Sequence, residues 1–166
     1  MSNIRDIPYT IRWAKPEDWP ETMQMVWRTF MRFEAADYTE EGVINFQDFL
    51  TNGKIYQMFL NGRYPMLIAL DGEKIIGEIS VRGRNFISLL FVDEEYHMQG
   101  VGRALIETMA KYLRDVRGEI YMSVKAAPYA VAFYRKTGFH ACAPEESFSG
   151  IRVTSMERFL QEESTK

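Results

Sequence analysis

The sequence QGVGRA, residues 99–104, constrains the fold of this chain more than any other stretch. It follows an apolar run at 86–92 and opens a segment, 102–113, whose apolar residues recur at helical spacing. Glycine inside a helix costs roughly 0.5–1 kcal/mol relative to alanine. Two glycines at a helix start therefore indicate an unusual backbone or a ligand close to the main chain. The stretch predicts a strand, a glycine-rich turn and a helix.

Three kinds of phosphate-binding loop can be compared with this stretch. A P-loop needs G-x-x-x-x-G-K-[ST], which is not found here. A dinucleotide fingerprint, G-x-G-x-x-G, fits Gly100 and Gly102 but meets Leu105 at its third glycine, and the preceding strands read as antiparallel hairpins. The pattern Gln/Arg-x-x-Gly-x-Gly/Ala matches. From these six residues alone, a tight turn without a ligand remains an open alternative.

The matching pattern has a physical basis for holding a diphosphate. Main-chain N–H groups at a helix start have no partners within the helix, and the positive end of the helix dipole lies behind them. Small residues also allow an anion to approach the backbone. We therefore expect an anion-binding loop made of Gln99, Gly100, Val101, Gly102, Arg103 and Ala104.

The remaining pattern predicts a mixed α/β (α+β) domain. A strand at 86–92, a helix at 102–113 and a strand at 119–124 form a βαβ crossover, so the two strands should be parallel. The apolar strand 86–92 is expected to be buried on both faces. The other predicted strands are 9–13, 65–70, 74–82, 139–143 and 151–159, and the other predicted helices begin after Lys15 or span 38–50, 55–60 and 129–136. Together these elements predict one domain over 1–166, with a mostly antiparallel sheet of about seven strands and helices on both faces.

Composition narrows the functional class. The formal net charge of −3 gives no basic footprint for nucleic acid. The single cysteine, Cys142, cannot form an intrachain disulfide, which fits a reducing compartment, and we expect it to be a small buried apolar residue. MSNIRDIPYT lacks an apolar signal core, and no apolar run approaches the ~20 residues that cross a bilayer. We expect a cytoplasmic protein that binds no membrane and no metal.

A second motif, VKAAPYAVAFYRKTGF at 124–139, lies one crossover unit downstream. Together the two motifs resemble the signatures of the GCN5-related N-acetyltransferase (GNAT) superfamily. The resemblance is clear over about 66–139, whereas the first 60 residues match only in element order. The matching residues of the second motif are Ala130, Phe133, Tyr134, Arg135, Lys136, Gly138 and Phe139.

The resemblance implies the GNAT fold and an acetyl-CoA-dependent N-acetyltransferase, in which a primary amine attacks the thioester directly in a ternary complex. It implies that the loop at 99–104 holds the pyrophosphate of coenzyme A. It also implies that the pantetheine arm pairs with the backbone of Leu90, Phe91 and Val92, where a backbone N–H near Leu90 polarises the thioester carbonyl. Many relatives have Asn where this chain has Lys125, so that Asn's role does not carry over; the lysine could instead reach a phosphate or solvent.

The resemblance also supplies candidates for proton transfer. Tyr134 matches the tyrosine near the CoA sulfur and is expected to be the general acid; the alternative is an ordinary core aromatic residue. For the base we favour Glu78, because adjacent strands line the same cleft. His97 is expected to be a solvated loop residue. Other carboxyl or phenol groups that could line the substrate side are Glu34, Asp37 and Tyr38.

The acceptor is the least constrained part. The early helices are unusually aromatic; most of these rings should be core, but in this fold such helices also roof the acceptor site. An aromatic or apolar amine, a peptide N-terminus, a polyamine and an aminoglycoside all stay open, as do a longer acyl group and a homodimer. A different class of function is a non-catalytic acyl-CoA-binding module. The aromatic residues concerned are Trp27, Phe30, Phe33 and Tyr38.

Overall fold

A computed structural model describes residues 9–148 and 150–160. Its strands are β1 (Thr10–Trp13), β2 (Met66–Asp71), β3 (Lys74–Arg82), β4 (Phe86–Val92), β5 (Tyr121–Ala126), β6 (His140–Ala141), β7 (Glu146–Phe148) and β8 (Ile151–Phe159). Its α-helices are α1 (Trp19–Phe33), α2 (Glu40–Thr51), α3 (Lys54–Leu60), α4 (Val101–Asp115) and α5 (Val131–Lys136). The expectation about MSNIRDIPYT concerns mainly residues 1–8, which lie outside the described ranges.

One sheet organises these elements, in the order β1-β2-β3-β4-β5-β8-β6, with β7 paired to β8. All pairs are antiparallel except β4 with β5. Helix α4 packs on one face, where Leu105, Met109 and Leu113 are buried. Helix α1 packs on the other face through Val26 and Phe30. The predicted fold class is therefore confirmed, with eight strands where about seven were expected.

The parallel crossover is confirmed, but its two strands pair only briefly. Phe86 pairs with Ser123 and Ile87 with Val124, and the pairing ends there. Over the rest of their length β4 and β5 diverge. Because no strand fills the space between them, a cleft opens in the middle of the sheet.

A β-bulge in β4 lies at the point of divergence. Ser80 of β3 pairs with Leu89, while the next residue of β3 pairs with Ile87, so Ser88 is the extra residue. A bulge bends its strand and increases the local twist. The bulge therefore turns β4 away from β5 directly after their last parallel pair.

Several expectations from sequence are corrected by the structure. In β4, Leu90 and Val92 are only half-buried, because the strand borders the open cleft. The strand predicted at 139–143 is reduced to two residues, and part of the loop after it forms β7. Cys142 is exposed rather than buried, because it follows this short edge strand.

Helix α1 buries Met23, Val26 and Phe30, whereas Met31 near its end is exposed. Within the part of the chain that is described, no helix combines the length and the apolar character needed to cross a membrane.

Candidate active site

A cleft of about 420 Å³ occupies the divergence of β4 and β5. Residues of both strands form its walls, and α2, the α1–α2 connection, the turn before α5 and the β7–β8 hairpin complete it. Its polar or ionisable lining residues are Glu34, Tyr38, Asn45, Arg82, Ser88, Lys125, Tyr129 and Tyr134. The cleft thus brings together parts of the chain that are about 100 residues apart in sequence, as a catalytic site on a rigid sheet requires.

The backbone of β4 presents hydrogen-bonding groups to this cleft. The Asp93 N–H donates to the Ile76 carbonyl of β3, 2.8 Å away. Successive N–H groups of a strand point to opposite edges, so those of Leu90 and Val92 point away from β3, toward the gap. The Phe91 N–H instead donates to Glu78 Oε2 at 3.0 Å. Of the three predicted residues, two therefore offer an N–H at the gap.

His97 differs from its expected role as a solvated loop residue. It is half-buried, its Nε2 lies 2.6 Å from the Val92 carbonyl oxygen, and its ring packs 4.8 Å from that of Phe33. His97 therefore connects the end of β4 to the end of α1.

The glycine-rich loop has the backbone that its sequence predicts. Gly100 has a φ of 83° and caps the start of α4, and Met98 before it has a φ of 63° and is almost fully exposed. The first intrahelical bond runs from the Ala104 N–H to the Gly100 carbonyl. The N–H groups of Val101, Gly102 and Arg103 precede that bond and have no intrahelical acceptor. The expectation of a free N–H was wrong for Ala104.

Gln99 lies beside this loop. Its side-chain nitrogen donates to the Glu95 carbonyl at 3.1 Å, whereas its buried Oε1 has no donor among the described residues.

The two sequence motifs contact one another directly. A Cβ on Gly102 would lie 3.0 Å from Cζ of Phe133, so this glycine also serves the packing of α4 against α5. Arg103 donates to the Lys136 carbonyl at 2.9 Å. A structural role therefore explains the packing of Gly102 and also fits the positive φ of Gly100, which turn glycines such as Gly72 share, so a tight turn and a ligand-binding loop both stay open from these glycines alone.

Tyr134 lies where α5 meets the cleft. It is buried, and its ring packs edge-on against Phe133 and Phe139. Burial raises the pKa of Tyr134 above its usual range, and the negative charge of Glu34 adds to the rise. The phenol therefore stays protonated across the physiological range, as a proton donor must.

Glu34 is the carboxyl group that faces the cleft. It follows the last residue of α1 and is half-buried. Burial, with the neighbouring charge of Asp37, raises the pKa of Glu34 to about 7. A group with this pKa can exchange a proton near neutral pH. Tyr38 lines the same cleft, while Asp37 is not part of its lining.

Glu78 lies behind the cleft wall rather than on it. It is fully buried, its carboxyl accepts a hydrogen bond from the Phe91 N–H, and its Oε1 lies 3.3 Å from Ser80 Oγ. The Ser80 hydroxyl donates to the Tyr64 hydroxyl at 2.8 Å, which donates to Ser88 Oγ at 2.9 Å. Only the last member of this chain lines the cleft, so Glu78 reaches it indirectly.

Removing the Glu78 carboxyl should change how stability depends on pH. Burial raises the pKa of Glu78 to about 8. The folded protein thus keeps a proton that the unfolded chain has lost, and stability should fall as the pH rises from about 5 to about 8. Urea unfolding should show this fall to be smaller in Glu78→Gln. Parallel curves for the two proteins would show that Glu78 ionises normally.

The Lys125 side chain contacts the β7–β8 hairpin and stays partly exposed to solvent. Its Nζ lies 3.5 Å from Glu146 Oε1 and 4.7 Å from the centre of the Phe148 ring. The lysine therefore holds β7 against β5 at the cleft edge.

Comparisons with known proteins agree with the fold described above. Residues 34–160 match the model of the acetyltransferase (GNAT) domain family. A GCN5-related N-acetyltransferase structure from Rhodopseudomonas palustris is 27% identical and superimposes with a TM-score of 0.77, over 90% of this chain and 94% of that one. No curated protein sequence matches the chain significantly.

Two more distant structures share the fold. The PaiA N-acetyltransferase of Thermoplasma acidophilum, solved with coenzyme A, is 18% identical (TM-score 0.76; 92% of this chain, 99% of that one). A chimera of the spermidine N-acetyltransferase SpeG from Vibrio cholerae and hSSAT is 19% identical (TM-score 0.66; 92% and 95%). With a family model that covers most of its length, this chain belongs to the GNAT acetyltransferase family.

Proposed function

We propose that this protein transfers the acetyl group of acetyl-CoA to a primary amine by direct attack in a ternary complex. The observation that carries the proposal is the cleft between β4 and β5, with Tyr134 and Glu34 both on its wall. A phenol that stays protonated and a carboxyl group with a pKa of about 7 are the acid and base that such a reaction needs. A module that only binds CoA would need neither.

The structure offers main-chain N–H groups for two parts of acetyl-CoA. The free N–H groups at the start of α4 suit the pyrophosphate, and the N–H groups of Leu90 and Val92 suit the pantetheine arm and the thioester carbonyl. Donation from the Leu90 N–H to the developing oxyanion would contribute about 3 kcal/mol to catalysis. Arg103 donates one hydrogen bond to the Lys136 carbonyl, which holds its guanidinium beside the loop and leaves its other N–H groups available to a phosphate.

Glu34 and Tyr134 together can account for every proton that the reaction moves. Glu34 takes one proton from the ammonium form of the acceptor and passes it to solvent. The amine nitrogen then forms its bond to the carbonyl carbon, and the carbon–sulfur bond breaks. Tyr134 protonates the departing thiolate and is reprotonated by the second proton of the nitrogen. We assign Glu34 rather than Glu78 as the base, because Glu34 lines the cleft.

An acetyl-transfer assay tests the proposal. The protein is incubated with acetyl-CoA and a panel of primary amines, and both the release of CoA thiol and the mass of the acetylated amine are measured. We expect thiol release that depends on the amine and matches the acetylated product. Binding of CoA by calorimetry, without transfer to any amine, would favour the non-catalytic binding module.

Replacing Gly100 by alanine should weaken CoA binding about tenfold, or about 1.4 kcal/mol. The positive φ of Gly100 disfavours a side chain, so the loop must shift and misdirect the N–H groups that follow. The matched control is Gly72→Ala in the β2–β3 turn, where φ is also positive and a Cβ also meets open space. Calorimetry should show similar affinity for Gly72→Ala and wild type; equal weakening in both variants would contradict the loop's assignment.

A further inference from the structure

The acceptor side of the cleft carries opposite charges at its two ends. Glu34 lies at one end, beside Tyr38, whose pKa is raised by burial and by the charge of Glu34. Arg82, the last residue of β3, lies at the other, and its guanidinium carbon is 6.0 Å from the centre of the Phe49 ring. Among the described residues, the Arg82 side chain has no ion-pair or hydrogen-bond partner. It is therefore a cation on the cleft wall with no anion of its own.

Helix α2 sets the distance between these ends. Gly42, Asn45, Phe46 and Phe49 face the cleft, at the spacing of one helix face. Tyr38, beside Glu34, precedes Gly42 in the chain, and the Arg82 guanidinium lies over the ring of Phe49. From Gly42 to Phe49 a helix rises about 10 Å. The ends are thus separated by roughly that distance.

The wall between the ends is aromatic. Phe46 and Phe49 line it, with Phe86 and Phe148 also at the cleft. A molecule that spans the cleft from Glu34 to Arg82 therefore needs an apolar middle, because a polar middle would lose hydration without gaining hydrogen bonds from the wall.

The charges also select against a polycation. Arg82 and Lys125 are both cationic, and Glu146 already pairs with Lys125. A diamine or polyamine whose first amine approaches Glu34 would place its distal ammonium group near Arg82. Like charges at that end would oppose binding, whereas a carboxylate could pair with the guanidinium in two hydrogen bonds.

Building on the proposed acetyl transfer, we propose that the acceptor is a primary amine that carries a carboxylate at the far end of an apolar segment. The amine is held at Glu34 and the carboxylate at Arg82. Arg82 then acts as the residue that determines specificity among amines.

Three acceptors of matched length test this inference: 6-aminohexanoate, hexylamine and 1,6-diaminohexane. They differ only in the far group, which is a carboxylate, a methyl or an ammonium. We expect kcat/KM for wild type to be about tenfold higher with 6-aminohexanoate than with hexylamine, and lowest with the diamine. In Arg82→Gln the preference for the carboxylate should fall to about onefold, and Arg82→Lys should keep part of it.

The matched control is Arg63→Gln, since Arg63 is also exposed but does not line the cleft. It should keep the wild-type order of acceptors. Equal or better transfer to hexylamine or to the diamine by wild type would overturn the carboxylate inference and leave the acetyltransferase proposal standing. Absence of transfer to these three and to every other amine of the panel would overturn the proposed function, and this inference with it.

Discussion

Tyr134→Phe is expected to lower kcat at least about 100-fold, which lies within the range that general acid catalysis contributes. The substitution removes only the hydroxyl, so the ring contacts with Phe133 and Phe139 should remain. The thiolate would then have to leave without the proton that Tyr134 supplies. CoA affinity should stay within about twofold of wild type, because we expect the phosphate contacts to come from the loop at 99–104 and not from Tyr134.

The control for this variant is Tyr112→Phe. Tyr112 is a half-buried tyrosine on α4 that packs against Trp13 and does not line the cleft. Steady-state kinetics should show wild-type kcat for this variant, and calorimetry should show unchanged CoA binding for both. If Tyr134→Phe turns over as fast as wild type, Tyr134 is a core aromatic residue and not the acid.

The fold could be predicted because its signals are local. The glycines of 99–104, the apolar spacing of α4 and the short turns between strands each report the backbone next to them. The bulge at Ser88 could not be predicted in this way, because nothing in the apolar run of β4 marks the extra residue. Two serines within the strands β3 and β4, Ser80 and Ser88, were the available signal for the buried hydrogen-bond chain.

The position of a residue could be predicted where the residue belongs to a local motif. Tyr134 lines the cleft and the loop at 99–104 begins α4, as expected, while their catalytic and binding roles stay predictions. The placement of a carboxyl group depends on tertiary packing instead: α1 crosses the sheet so that Arg28 pairs with Asp93 and Glu34 reaches the cleft. Sequence reasoning chose Glu78 because its strand is adjacent, but this side chain points into the core.

Arg82 and Tyr129 were missed at the sequence level for a related reason. Each becomes part of the site only when the ends of separate elements meet at the cleft. A single-sequence pattern carries no information about such a meeting.

Glu34→Gln should lower kcat/KM about 100-fold at pH 8 and remove the pH dependence that belongs to the base. Because the pKa of Glu34 is about 7, wild-type activity should rise with pH up to about that value, as the carboxyl loses its proton. The amide of the variant cannot accept the proton at any pH. Glu78→Gln, measured in parallel, should keep the rising limb, since Glu78 does not line the cleft.

The substitution Asp37→Asn tests the direction in which the pKa of Glu34 is shifted. The charge of Asp37 helps to raise the pKa of Glu34, after burial, which is the larger cause. Asp37→Asn should therefore move the rising limb to lower pH while leaving the plateau activity in place, because Asp37 does not line the cleft. The opposite result would be a rising limb of the pH–activity profile that is lost in Glu78→Gln and kept in Glu34→Gln. It would make Glu78 the base, acting through Ser80, Tyr64 and Ser88.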